Sequence, residues 1–123
     1  MEVVYGITQQ FQDCVRVLPQ PTQIAIENKV NSLGRALLVD IDTRFSELYQ
    51  PANLLLRHGY TPTLCIMSVS ADLDVVLCYD IDEIQGRLTV SLLDATTHSE
   101  SHARFLMAAK SLYGPLLLGT ANP

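Results

Sequence analysis

The stretch that most constrains the fold is Arg87 to Pro123, RLTVSLLDATTHSESHARFLMAAKSLYGPLLLGTANP, which reads as strand, polar turn, helix, strand. Leu88, Val90, Leu92 and Leu93 form a nearly continuous apolar run that ends in an acid, Asp94. Such a run suits a strand covered on both faces, as in a parallel sheet. Thr96 to Ser101 is a polar break in which Ser99 or Ser101 can cap a helix. Phe105, Leu106, Ala109 and Leu112 then recur at helical spacing, and Gly114-Pro115 stops them. Leu116 to Leu118 make a second short apolar strand. An acid at the carboxyl end of a central strand stands where open α/β sheets bind ligands.

The rest of the chain reads as a preparation for that unit. Residues 2–7, EVVYGI, carry the β-branched and aromatic residues of a short strand. Thr8 to Pro21 reads as irregular. Thr22 to Leu33 has an apolar stripe of Ile24, Ile26, Val30 and Leu33, with Gly34 as its stop. RALLVDID then predicts a buried strand over 35–41, ending in Asp40 and Asp42. Ser46 caps an expected helix to His58, and PTLCIMSV (62–69) is another strand. Residues 70–86 fit both periods. A helix from a Ser70 cap to Gly86 keeps strands and helices in alternation, against the β-branched content of the segment. The expected fold class is therefore α/β: one domain over 1–123, with a single, mostly parallel sheet and crossover helices.

Composition narrows the class. Hydrophobic residues make up 48% and charged residues 17%, which fits a packed core rather than disorder. Eight Lys+Arg face thirteen Asp+Glu, a net charge of −5, so the chain offers no basic nucleic-acid surface of its own. Three cysteines with no paired spacing, Cys14, Cys65 and Cys78, point to a reducing compartment. Neither a signal peptide nor a membrane-spanning run is seen, so no membrane role is expected.

Three stretches resemble the RecA-type core of the eukaryotic recombinase paralogs, the Shu-complex type included. ALLVDIDTRF (36–45) is similar to the family's acid-ended strand, with Asp40, Asp42 and Phe45 at its marked positions. VSLLDATT (90–97) resembles the Walker B strand, with Asp94 at the magnesium-supporting acid, and HARFLMAAKSLYGPLLLGTANP (102–123) resembles the helix and strand that follow. The departures matter as much. Pro21 stands at the phosphate-loop lysine and Gln20 and Val15 at its glycines, with only Thr22-Gln23 surviving. Proline brings neither the charge nor the backbone donor that phosphates need. The resemblance thus implies a trimmed RecA-like core with degenerate Walker positions Pro21, Thr22, Asp42 and Asp94, and no bound cofactor.

Other clusters carry less. His98 and His102 stand four apart, a spacing zinc sites use, but no third ligand accompanies them and no metal is expected. Asp94, His98 and Ser101 lack the nucleophile elbow that a hydrolase triad needs, so no catalytic residue is assigned. FQDCVRVLPQP (11–21) fills the phosphate-loop place with Phe11, Val15, Val17 and Leu18, apolar residues expected to bind a partner or to plug the empty site.

The expectation is a non-enzymatic subunit, nuclear or alternatively cytoplasmic. It would pair as a heterodimer with a recombinase or recombinase paralog and reach single-stranded DNA only through that complex, in homologous-recombination repair. The alternative is a small acidic α/β adaptor or secretion-type chaperone that binds a protein partner and has no DNA role.

Overall fold

A computed structural model describes residues 1–39 and 48–121. Strand β1 is Glu2–Ile7, followed by helix α1 (Gln9–Arg16) and helix α2 (Gln20–Val39). Strands β2 (Asn53–Leu56), β3 (Cys65–Ser70), β4 (Leu73–Asp82) and β5 (Arg87–Thr97) come next, then helix α3 (Ser101–Tyr113) and strand β6 (Leu117–Ala121). The main sheet has the order β1-β5-β4-β3. Within it β1 and β5 run parallel, whereas β5 with β4, and β4 with β3, are antiparallel. Strands β2 and β6 form a separate antiparallel ribbon.

The mostly parallel, RecA-like sheet with crossover helices is therefore incorrect, and residues 70–86 are the reason. They form a strand and a turn, not a crossover helix. Leu73, Val75, Leu77, Tyr79 and Ile81 face one side and Asp74, Val76 and Cys78 the other, the period-2 alternation of a strand with both faces in use. Asp82 Oδ1 accepts from Gln85 N at 3.1 Å, and Gly86 takes φ 65°, which turns the chain straight back into β5. With a hairpin in place of a crossover, the two long strands must be antiparallel.

Two further elements differ from expectation. Helix α2 does not stop at Leu33 but runs to Val39, so RALLV is helical; Asp40, Ile41 and Asp42 lie outside the described residues. Gly34 serves packing instead of termination. A β-carbon there would overlap the Tyr5 hydroxyl and crowd Val3, so glycine is what lets α2 lie close on β1. Residues 53–56, expected in a helix, form β2, and His58 and Gly59 bend the chain with φ 61° and 70°; Ser46 lies outside the described residues.

The sheet separates two apolar layers. Helices α1 and α2 cover one face through Phe11, Ile26, Val30 and Leu33, packed on Val75, Leu77, Leu88 and Val90. On the other face Phe105 and Ala109 of α3 pack with Ile66 and Val76, and with Leu54 of the ribbon. Helix α3 starts without a side-chain cap, while Ser101 Oγ donates to His98 O at 2.8 Å. It ends, as expected, at Gly114.

Candidate functional site

Asp94 sits where β1 gives out. The β1–β5 pairing ends at Ile7↔Leu92, and the β4–β5 register slips there: Leu77 pairs with Leu92 but Val76 with Asp94. The extra residue, Leu93, faces α3 while Leu92 faces the α1–α2 layer. A bulge of this kind re-aims the side chain beside it. The Asp94 carboxylate accepts from Gln10 Nε2 at 3.0 Å, Arg104 Nη1 at 3.3 Å and its neighbour Ala95 N at 2.9 Å. Cys14 Sγ donates to it at 3.4 Å. The residue is 3% exposed. Four donors from α1, β5 and α3 converge on it, so Asp94 is a clasp between the two layers. A cleft of about 400 Å³ opens beside it, walled by Thr8, Gln10 and the α3 side chains Arg104, Met107 and Leu112.

A second buried acid ties down the opposite side of β4. Asp74 accepts from Ser68 Oγ at 3.0 Å, across the β3–β4 pair, and from Tyr49 OH at 3.2 Å. His98 Nδ1 lies 2.8 Å from its Oδ2. With the carboxylate ionised, the Nδ1-protonated tautomer donates, which leaves Nε2 turned outward. The imidazole is well exposed while the acid is fully buried. Burial and the Asp74 charge push the Tyr49 hydroxyl above its usual value.

The third feature is the β1 side of the α3-facing sheet surface, which the described residues cover less than the rest. The strand alternation that sends Val3, Tyr5, Leu88 and Val90 toward α2 sends Val4, Gly6, Thr89 and Ser91 the other way. Among the described residues, helix α3 packs mainly over β4 and β5, and also over β3. The registers Gly6↔Ser91↔Cys78, Val4↔Thr89↔Asp80 and Glu2↔Arg87↔Asp82 build three cross-strand rows there, and the Cys78 end of the first packs against the α3 cluster. The upper row is small and uncharged. The lower rows hold three acids against one base, with Arg87 Nε paired to Glu2 Oε1 at 3.2 Å. The Asp94 cleft lies at the upper end of this face, beside α3.

No protein family, curated protein or solved structure matches the chain. Its function must be read from these groups.

The residues singled out in the sequence fall in separate places. Pro21 and Thr22 lie in the first turn of α2, and Asp94 takes its bonds from α1, β5 and α3 instead. Asp42 lies outside the described residues. The segment 11–21 is not a loop. Thr8 caps α1 by accepting from Phe11 N at 3.1 Å, and Phe11 is core, with Val15 and Leu18 packed beside it. Only Val17 is free for a partner, at 81% exposure, so the four residues do not make one patch. Among the described residues no group of three His, Cys, Asp or Glu side chains is arranged to hold a metal, and no helix is long and apolar enough to cross a membrane. Asp74, Tyr49 and the less covered β1 side of the sheet were missed by sequence reasoning. For Asp74 a signal existed: an acid at a core-facing position of an alternating strand.

All three cysteines are free thiols. Burial pushes the Cys65 thiol up to about 12, and burial first, then the Asp94 hydrogen bond, raises Cys14. Below the reference value of 9.0, Cys65 is protonated in both the folded and the unfolded chain. Above it the unfolded chain releases a proton that the folded core keeps, so this contribution to stability is lost between pH 9.0 and about 12. At neutral pH, Cys65 in the native protein is expected to react with iodoacetamide roughly a thousandfold slower than free cysteine. Mass spectrometry of timed samples checks this; alkylation of Cys65 at the free-thiol rate would refute it.

Proposed function

We propose that this chain is a non-enzymatic protein-binding subunit, a small acidic α/β adaptor. The observation that carries the reading is the half-covered sheet. Among the described residues, two helices close one face, whereas α3 lies over β4 and β5 and leaves the β1 side of the other, around Val4 and Thr89, less covered. A mostly antiparallel sheet can leave part of one face to solvent, so this half is available to a partner. Met107 is 60% exposed and Leu112 45%, so the α3 flank adds apolar surface to the same side. The two buried acids support the reading from another direction. Asp74 and Asp94 have their oxygens occupied by the protein's own donors, which suits a structural duty.

The role in recombination that the sequence resemblance implies loses its structural footing, because it stood on a RecA-like parallel sheet. Affinity capture with the full chain as bait, followed by reconstitution of the recovered pair from purified components, tests the adaptor reading. A stoichiometric complex by sedimentation velocity is the expected result. A bait that recovers no stoichiometric protein and stays monomeric would overturn it, and recombinase paralogs among the prey would restore the DNA-repair context.

A further inference from the structure

We propose that the outer edge of β1 takes up one extended segment of a protein partner as an added strand, with an aliphatic side chain of that segment in the groove beside Ile7 and a lysine or arginine near Glu27. This rests on the reading of the chain as a protein-binding subunit and names the element it takes.

The backbone argues for a strand. Glu2 N donates to Gly86 O at 2.8 Å and Thr8 N to Leu92 O at 3.1 Å. A parallel ladder alternates, so Glu2, Val4, Gly6 and Thr8 turn their N–H and C=O groups to β5, and Val3, Tyr5 and Ile7 turn theirs outward. Among the described residues no hydrogen bond reaches those outward groups. Such a row of main-chain donors and acceptors is what an incoming strand satisfies, whereas a helix has its own main-chain bonds closed. The other edge of the sheet is guarded: Ile66 of β3 exchanges backbone bonds with Tyr49 at 3.0 and 2.8 Å. Strand β1 carries none of the usual guards, having no proline, lysine or bulge.

Side chains select the segment. Tyr5 and Ile7 floor a groove of about 300 Å³, walled by Phe11 and Val15 of α1 and by Ile26 and Glu27 of α2. A side chain of the added strand directly opposite Ile7 stands about 5 Å from it and lies over this groove. Ile7 is 51% exposed, so an aliphatic neighbour gains contact there. Glu27 is exposed on the wall, which favours a basic residue beside it. The one charge on β1, Glu2, is already paired with Arg87 at 3.2 Å. A second copy of the chain is the poorer occupant. Its β1 would bring Val3 and Tyr5, whose side chains pack in its own core, together with a second charge of −5.

The probe is a displayed library of peptides of about eight residues, selected on the immobilised full chain. Enriched peptides should alternate β-branched or aliphatic residues with polar ones and carry Lys or Arg. The deciding readout is an N-methyl scan of those peptides by fluorescence anisotropy. Methylation should weaken binding about tenfold or more at every second position and far less between. In the complex, hydrogen exchange at the Val3, Tyr5 and Ile7 amides should slow by far more than at Val4 and Gly6. Ile7→Pro removes one outward donor while keeping the bonds to β5, and should weaken binding about tenfold. Glu27→Lys should weaken it about fivefold, with a flatter salt dependence. Val17→Asp, on exposed surface outside the groove, should leave affinity unchanged. Thermal midpoints guard against misfolding, and the N-methyl scan needs no variant of the chain. Peptides that bind as helices, or whose binding ignores N-methylation, overturn the strand site and leave the adaptor reading intact. So does a captured partner whose complex leaves the Val3, Tyr5 and Ile7 amides exchanging as in the free chain. A chain dimer abolished by Ile7→Pro would show that a second copy is the occupant and overturn the proposal. If no peptide is enriched and no partner is captured, the proposal and the adaptor reading fail together.

Discussion

Alanine in place of Asp74 should lower the free energy of unfolding by about 3 kcal/mol, a large share of what a domain of this size has to lose. The carboxylate is fully buried, and it satisfies Ser68, Tyr49 and His98 at 3.0, 3.2 and 2.8 Å. These donors come from three separate places: strand β3, the segment that bridges to Ile66, and the turn after β5. Alanine strands the donors and opens a small void, and the two costs act together. Asparagine keeps the shape and one acceptor oxygen, so Asp74→Asn should cost less than alanine. Urea denaturation at constant m-value reads both. An Asp74→Ala midpoint equal to that of the parent protein would remove Asp74 from its place as a tie.

Alanine at position 34 should destabilise the fold by about 2 kcal/mol, even though alanine is the better helix former. The new β-carbon would overlap the Tyr5 hydroxyl and press on Val3. Helix propensity alone predicts a gain of up to about 1 kcal/mol, so the sign of the change separates the two effects. The cause can be isolated. Tyr5→Phe removes the atom in the way and gives up only a long bond, Tyr5 OH to Val30 O at 3.4 Å. In the Tyr5→Phe background Gly34→Ala should cost markedly less, a coupling that a double-mutant cycle reads directly. Additive effects would mean that α2 moves away from β1 rather than bearing on Tyr5.

How far the fold could be read from sequence depended on whether local signals had rivals. EVVYGI had none and is β1 over the same six residues. Helix α3 was equally clear, since Phe105 and Ala109 set the stripe and Gly114 the stop. RALLV had a rival: the four-residue apolar run Ala36 to Val39 suits a buried strand and a buried helix alike, and Gly34 read as a stop although its duty was to admit Tyr5. Helix α1 went unread because its apolar face is only Phe11, Val15 and the partly buried Cys14, amid glutamines. The costliest ambiguity was 70–86, where one segment's period decided whether the whole sheet was parallel.

The site was legible in part. Asp94 stood out as an acid ending an apolar run, and it is indeed buried at a junction of elements. Its work as a clasp depends on Gln10 arriving from 84 residues away and on Arg104 folding back from α3, which spacing does not reveal. The less covered β1 side of the sheet is harder still to read. Thr89, Ser91 and Gly6 look like ordinary strand residues until the sheet order shows which half α3 covers.

The β1–β5 pairing also orders events in time. Glu2 pairs with Arg87 and Ile7 with Leu92, so the first strand made is joined to the last strand of its sheet. On the ribosome β1 has no partner until residues 87–92 have emerged, and α1 and α2 have no completed floor to cover. The β3–β4 and β4–β5 hairpins, by contrast, close over short turns as soon as each is made. Loop closure is cheapest for contacts so near in sequence, which sets the hairpins first and the insertion of β1 beside β5 last. The edge strand on the less covered side is thus also the latest piece of the sheet to be sealed.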